Sequence, residues 1–182
     1  MRVLSGIYKN QKIVFKEKDK KYIKPTKSII KKTLFDIIGK KIINSVCLDL
    51  FCGSGSLGLE AVSRGAKLSL FVDKRKSIIK TIKKFIKKKK IKNALVLNSD
   101  YEDFLRKKCD KKFDVIFIDA PYRMYKKVNF ILEKCIPFLR KDGIIYYENY
   151  RANFKKDITN SKLEISRFGK KGKIFFFIFK KK

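Results

Sequence analysis

The sequence predicts an α/β fold in which a mostly parallel sheet is covered by helices on both faces and closed by an antiparallel pair. Three observations carry this. From Val46 onward, short and nearly continuous apolar runs alternate with amphipathic stretches, as expected of strands buried on both faces and joined by crossover helices. A glycine-rich loop follows the first of these runs, where a strand turns into a helix. The chain then ends in LEISRF at 163–168 and KIFFFIF at 173–179, two strand-like runs whose short glycine-containing link favours a hairpin at the sheet edge.

The elements can be justified in order. Residues 2–15 alternate loosely and turn at Lys9-Asn10-Gln11, which predicts two short strands joined as a hairpin. A polar stretch covers 16–24. Pro25-Thr26 then opens a helix with Ile29, Ile30, Thr33, Leu34, Ile37 and Ile38 at helical spacing, ended by Gly39. Beyond it come the strands VCLDLF, LSLFVD, ALVLNSD, VIFID and GIIYYE, separated by helices at 56–64, 75–90, 101–108 and 125–139. The 182 residues, 45% of them apolar, suit one domain: a hairpin extension over 1–24 and a core over 25–182.

Lys and Arg number 48 against 17 acidic residues, for a formal charge of +31. Such an excess suits a polyanionic partner, nucleic acid first, because neutralising phosphates releases condensed counterions. Codon bias is the competing account, since the abundant Lys, Ile, Asn and Phe share AT-rich codons. The densest run, KKFIKKKKIK at 83–92, reads more readily as a solvated helix end than as a dedicated phosphate track. The four cysteines, at 47, 52, 109 and 135, form no CxxC pair and read as free thiols in a reducing compartment rather than zinc ligands. Histidine is absent, which removes triads and dyads built on imidazole. The opening MRVLSGIYKNQKIVF has no signal-peptide pattern, and no window approaches the ~20 apolar residues of a membrane span. A soluble, cytoplasmic monomer is expected.

The chemistry gathers on the strand ends. DLFCGSGSLGLEA at 49–61 sets Gly53, Gly55 and Gly58 in GxGxxG spacing after a strand and before a helix, so the backbone can approach a nucleotide-like ligand. Asp49 lies within the first strand, four residues ahead of Gly53. Asp73 ends the second strand, where a carboxylate can take both hydroxyls of a ribose. Asp100 follows the third strand as a candidate acceptor for an adenine amino group, with Tyr101 near the ring. Asp119 follows the fourth, in VIFIDAPY. Any one of these acids could be a helix cap or turn former; four in series on one edge point to a ligand site.

These residues resemble the class I methyltransferases that use S-adenosylmethionine, and among them the bacterial family that methylates guanine N2 in 16S ribosomal RNA. The resemblance covers nearly the whole chain: MRVLSG at 1–6, KPTKSIIKKTLFDII at 24–38, DLFCGSGSLGLEAVSRGA at 49–66, DAPY at 119–122 and IIYYE at 144–148. Two departures stand out. Lys24 replaces an arginine, and Ala120 replaces the first proline of the family's Asp-Pro-Pro-Tyr/Phe.

The resemblance implies a Rossmann-like sheet of seven strands, the last inserted antiparallel. It implies S-adenosylmethionine contacts at Pro25, Thr26, Asp49, Phe51, Gly53, Ser54, Gly55, Asp73, Lys74, Asp100 and Tyr101. It also places the reaction at Asp119, Ala120, Pro121 and Tyr122, with 16S ribosomal RNA or the small ribosomal subunit as partner. A guanine N2 lone pair is delocalised into its ring, and acceptors on both N–H groups would turn it toward the methyl donor: the Asp119 carboxylate and, by analogy, the Ala120 carbonyl. Alanine keeps that carbonyl, and Pro121 still steers Ala120 away from helical backbone. Tyr122 would stack on the flipped base. Arg2, Lys9, Lys12 and Arg123 are candidate phosphate contacts. Neither a metal nor a covalent enzyme intermediate is required.

Three competing functions remain open at this level. The tetrapeptide also serves adenine N6 in DNA or RNA. The glycine loop also suits a nicotinamide-dependent oxidoreductase, although no hydride-transfer set appears. A non-catalytic RNA-binding assembly protein would tolerate Ala120.

Overall fold

A computed structural model of the protein describes residues 1–23, 28–107, 111–150 and 161–182. Seven strands form one sheet in the order β3-β2-β1-β4-β5-β7-β6. They are β1 (Val46–Asp49), β2 (Leu68–Asp73), β3 (Ala94–Asn98), β4 (Phe113–Ile118), β5 (Leu139–Asn149), β6 (Leu163–Lys171) and β7 (Ile174–Lys181). β1 to β5 pair in parallel, while β7 lies antiparallel between β5 and β6. The terminal hairpin therefore forms as expected, with its second strand inserted inside the first.

Helices cover both faces: α2 (Ser28–Ile38), α3 (Ser56–Ser63), α4 (Lys76–Lys88), α5 (Tyr101–Arg106) and α6 (Val128–Cys135), preceded by one turn, α1 (Glu17–Lys20). The central strands read as unbroken apolar runs because both sides are packed. Leu48, Ile116, Ile118 and Ile145 join the α5–α6 side of the core, while Cys47, Val115, Phe117 and Tyr146 face α2 and α3. The helix over 28–38 stops at Gly39, whose φ of +56° breaks the α-helical path and starts a short 3-10 turn to Ile42. Cys47, Cys52 and Cys135 are free and buried.

The N-terminal hairpin is less regular than expected. Its arms share a single bridge, Arg2 to Lys12, flanked by backbone bonds between Val3 and Gln11 and between Ile13 and Met1. Two strands do not form because α3 takes the backbone groups a ladder would need. Leu4 N–H donates to Glu60 Oε2 at 2.8 Å, and Ile7 and Tyr8 N–H donate to the Ser63 carbonyl and Oγ. Three other expectations need correcting. The polar stretch after Phe15 contains α1, held where Ser77 Oγ donates to the buried Asp19 at 2.7 Å. The helix over 125–139 is instead a 3-10 segment (Tyr122–Lys127), α6, and a second 3-10 turn (Ile136–Phe138) around Pro137, which has no N–H to continue the α ladder. The fifth strand begins at Leu139, and a bulge over 140–143 shifts its register against β4.

Candidate active site

The order of strands reverses direction between β1 and β4, and the crevice at the carboxyl ends of such a pair is where open α/β sheets take ligands. Asp49 is the last residue of β1 and Asp119 follows the end of β4, in the turn that leads to Pro121. Since β2 and β3 lie beyond β1, the sheet sets the four acids in spatial order Asp100, Asp73, Asp49, Asp119.

The glycine loop is built around two of them. Gly53 and Gly55 have φ of +47° and +72°, left-handed values at which a side chain would be strained. In this path Gly53 N–H donates to Asp73 Oδ2 at 3.0 Å and Gly58 N–H donates to Asp49 Oδ2 at 2.9 Å. Gly58 serves packing instead: a Cβ there would fall 2.4 Å from Cε1 of the buried Phe71 ring. Ser54 is buried within the loop. The glycine spacing thus marks a loop tied to the carboxylates of two adjacent strands.

Asp49 is buried to 1% exposure. Burial pushes its carboxyl up to about 7; the Gly58 N–H opposes this, and the negative charges of Asp119 and Asp73 add to it. The acids of β1 and β4 therefore feel one another across the switch point. Asp73 Oδ1 accepts from Arg75 N–H at 2.9 Å, with the Arg75 guanidinium 3.8 Å away. That guanidinium also sits over the Tyr22 ring at 5.0 Å, tying the segment after α1 to this end of the site.

At the β3 end, Asp100 caps α5: its Oδ1 accepts from Glu102 N–H at 3.0 Å, and Lys74 Nζ lies 3.3 Å from its Oδ2. Capping, the ordinary role for an acid before a helix, is thus real for Asp100, alongside its place at the carboxyl edge of the sheet. Lys74, Asn98, Ser99, Asp100 and Arg106 line an open depression there of about 620 Å³. The Phe51 and Tyr101 rings meet with centroids 4.9 Å apart, bridging the β1 and β3 ends over β2. The Tyr101 hydroxyl donates to Glu102 at 2.6 Å, and burial together with that carboxylate raises the phenol's pKa.

Asp119 and Ala120 are half-buried, Ala120 against the α5–α6 side of the core, and Pro121 is exposed. Pro121 holds φ −54° and ψ 139°, and its carbonyl accepts from Met124 N–H at 2.8 Å, starting the 3-10 segment. The backbones of Tyr122 and Arg123 belong to that segment; their side chains, and all of Pro25 and Thr26, lie outside the described residues.

Sequence reading passed over the acid of the fifth strand. Glu148 in β5 is buried and accepts from the buried Tyr146 hydroxyl at 2.8 Å. Burial first, then Glu148, raise the Tyr146 pKa, and the Asp119 charge also reaches Tyr146, Tyr147 and Tyr150. The rule that found the first four acids applies equally to IIYYE. The N-terminal cations fall elsewhere: Arg2 and Lys12 pair across the arm, and Lys9 follows Tyr8, which is bonded to the C-terminal end of α3, away from the strand ends that carry the acids. What fixes the arm is a buried ion pair that the sequence pattern does not reveal. Lys31 Nζ lies 3.1 Å from Glu60 Oε2 and donates to the Arg2 carbonyl at 2.7 Å, while Arg64 Nε donates to Glu60 Oε1 at 2.9 Å.

A seven-stranded sheet with an inserted antiparallel strand, a glycine loop at its switch point and a row of carboxylates at strand ends together define the class I methyltransferase architecture. Solved structures share it: a putative methyltransferase from Escherichia coli superposes with a TM-score of 0.85 at 24% identity, covering 100% of this chain and 97% of that one. A putative methylase from Haemophilus influenzae gives 0.78 at 27%, over 99% and 97%. The family model described as Conserved hypothetical protein 95 matches residues 1–180, and the chain belongs to that family of methyltransferases. Its relatives include the ribosomal RNA small subunit methyltransferase D of Buchnera aphidicola, 36% identical over 171 residues and 87% of each chain. The protein of that name from Escherichia coli K12 is 30% identical over 84% of this chain and 76% of its own.

Proposed function

We propose that the protein transfers a methyl group from S-adenosylmethionine to the exocyclic N2 amine of a guanine in 16S ribosomal RNA, guanine 966 by family resemblance. The observation that carries the reading is the placement of Asp119 beyond the end of β4, across the switch point from the glycine loop and Asp49, in a chain whose relatives are named for small-subunit ribosomal RNA methylation.

The residues present fit that cofactor. Its ribose would meet Asp73, tied to the loop through Gly53, and its adenine would lie toward Asp100, Tyr101 and Phe51. Bound there, it supplies an electrophilic methyl group already activated by positive charge. The chain's own work is alignment, which can supply several kcal/mol, up to roughly 7–11 for ideally oriented reactants. Asp119 accepts one N–H of the amine and the Ala120 carbonyl the other, so the nitrogen lone pair points along the transfer axis. Once methylated, the nitrogen would carry a surplus proton, which would pass to the Asp119 carboxylate already bonded to one N–H, or to water. Tyr122 holds the extruded base by stacking, worth roughly 1–3 kcal/mol. By the family resemblance Pro25 and Thr26 would contact the cofactor, and Arg2, Lys9, Lys12 and Arg123 would contact RNA phosphates.

The test is incubation with isotopically labelled S-adenosylmethionine and small subunits lacking the modification, followed by mapping of the label. Label at a guanine N2 of 16S RNA is expected. Label at adenine N6, or cofactor binding without any transfer, would overturn the reading in favour of an adenine methyltransferase or an assembly protein. Asp119→Ala should abolish transfer while leaving cofactor affinity within a few-fold.

A further inference from the structure

Sheet polarity sorts the charges of this molecule in a way the reaction does not use. The carboxyl edge gathers Asp49, Asp73, Asp100 and Asp119. The opposite edge, where β1 to β5 begin, gathers cations: Lys67 before β2, Lys92 before β3, Lys112 before β4 and Arg140 in the β5 bulge, all exposed. Because β7 runs against its neighbours, with Lys180 beside Ile144 near the start of β5, the exposed Lys182 falls on the same edge. Helices return from the carboxyl edge to this one, so the end of α4 adds Lys87 and Lys88 and the 3-10 turn before β1 adds Lys40 and Lys41.

Both edges carry lysines, but the carboxyl edge offsets them with its row of acids. On the amino edge the described strands and turns supply Asp114, Asp142 and Glu164, and the helix ends that reach it add Asp36, paired with Lys32 at 2.8 Å, and Glu133. Arg140 pairs with Asp114 at 3.2 Å. Lys40, Lys41, Lys67, Lys87, Lys88 and Lys92 enter no salt bridge among the described residues. The helix dipole favours Lys87 and Lys88 at the end of α4, but it does not account for Lys67 or Lys92, which sit between elements. Codon bias raises lysine number but does not set which edge carries the row of acids.

Dimensions suit a nucleic-acid backbone. Seven strands at ~4.8 Å spacing make an edge of about 29 Å, close to the ~34 Å of one duplex turn. The six residues of β4 separate the two edges by about 20 Å at ~3.3 Å each. A segment lying on the amino edge is therefore not the segment that presents the reacting base.

We infer that the amino edge of the sheet is a second docking face, which takes the phosphate backbone of a folded RNA at a segment remote from the modified nucleotide. That the polyanion is RNA rests on the proposed function. Lys9, carried by the N-terminal arm to the C-terminal end of α3, extends the same face. The substrate is then a large structured RNA or particle that reaches both edges, and a short hairpin engages only one.

Two variants test this, one with Lys87→Gln, Lys88→Gln and Lys92→Gln, the other with Lys40→Gln and Lys41→Gln, each checked for an unchanged thermal midpoint. Binding of a fully paired RNA duplex about three turns long is titrated over salt. The slope of log affinity against log salt should fall by roughly 2–3 in the first variant and 1–2 in the second. Methylation of full-length small-subunit RNA should drop about tenfold near physiological salt, while a hairpin holding only the target guanine is modified within twofold of the parent rate. Unchanged slopes, or equal losses on long and short RNA, would overturn the second face. If the parent protein methylates neither RNA nor the small subunit, the proposed function fails instead, and the salt slopes still decide whether this edge docks a polyanion.

Discussion

Asp49 offers a sharp test of the electrostatics at the switch point. Its carboxyl is fully enclosed, accepts one hydrogen bond from Gly58, and lies in the fields of Asp119 and Asp73, which together with burial raise it from 3.8 to about 7. The folded state then holds a proton that the unfolded chain releases near 3.8. The contribution of Asp49 to stability is largest below that value, falls as pH rises toward 7, and levels off above it, where Asp49 is ionised in both states. A carboxyl raised this far, at ~1.4 kcal/mol per pH unit, costs on the order of 4 kcal/mol when the buried group is charged. Between about pH 5.5 and about pH 8 the part at stake is roughly 2 kcal/mol. Asp49→Asn keeps an acceptor for Gly58 and removes the titration. Urea unfolding of both proteins, without cofactor, should show the variant gaining about 2 kcal/mol relative to the parent between the lower and the higher pH. A stability difference that is the same at both pH values would refute the assignment of a raised carboxyl at this position.

Other expected outcomes concern packing and the strand-end turn. Glu60→Ala leaves the Lys31 ammonium buried without its partner and should cost about 3–5 kcal/mol in chemical denaturation, with amide exchange rising at Leu4, which also loses its acceptor. Gly58→Ala drives a Cβ into the Phe71 ring and should cost roughly 1–3 kcal/mol, read as a lower thermal midpoint. Ala120→Pro restores the ring that the family resemblance expects and should add about 0.4–1 kcal/mol of stability, with methylation kept within a few-fold because the carbonyl is unchanged. A large loss of activity in that variant would show that the turn depends on the freedom of Ala120.

Much of the fold was legible because its signals are local. Near-continuous apolar runs marked five strands of the parallel sheet to within a few residues, since burial on both faces removes the polar alternation that would blur them. Glycine spacing located the loop because left-handed backbone needs glycine at Gly53 and Gly55 whatever surrounds it. The errors have tertiary causes. The N-terminal arms alternate like strands, yet Glu60 and Ser63 on a distant helix take the groups that would have paired. The stretch over 125–139 keeps helical periodicity, yet the backbone there tightens and breaks around Pro137. Glu148 closes an apolar run as the other acids do; what the sequence does not show is its tie to the buried Tyr146 hydroxyl.

By itself the sequence singled out the candidate residues: acids closing strands, glycines opening a helix, and a strand-end Asp-Ala-Pro-Tyr. Each follows from the reach of a few neighbouring residues. Only the tertiary structure decided that four acids scattered over 71 positions form one ordered row, that Lys31 neutralises Glu60 on another helix, and that cations gather on the edge opposite the site. Those outcomes depend on which strand lies beside which and in what direction, which is set by crossovers and by burial shared among elements, and no local pattern carries that information.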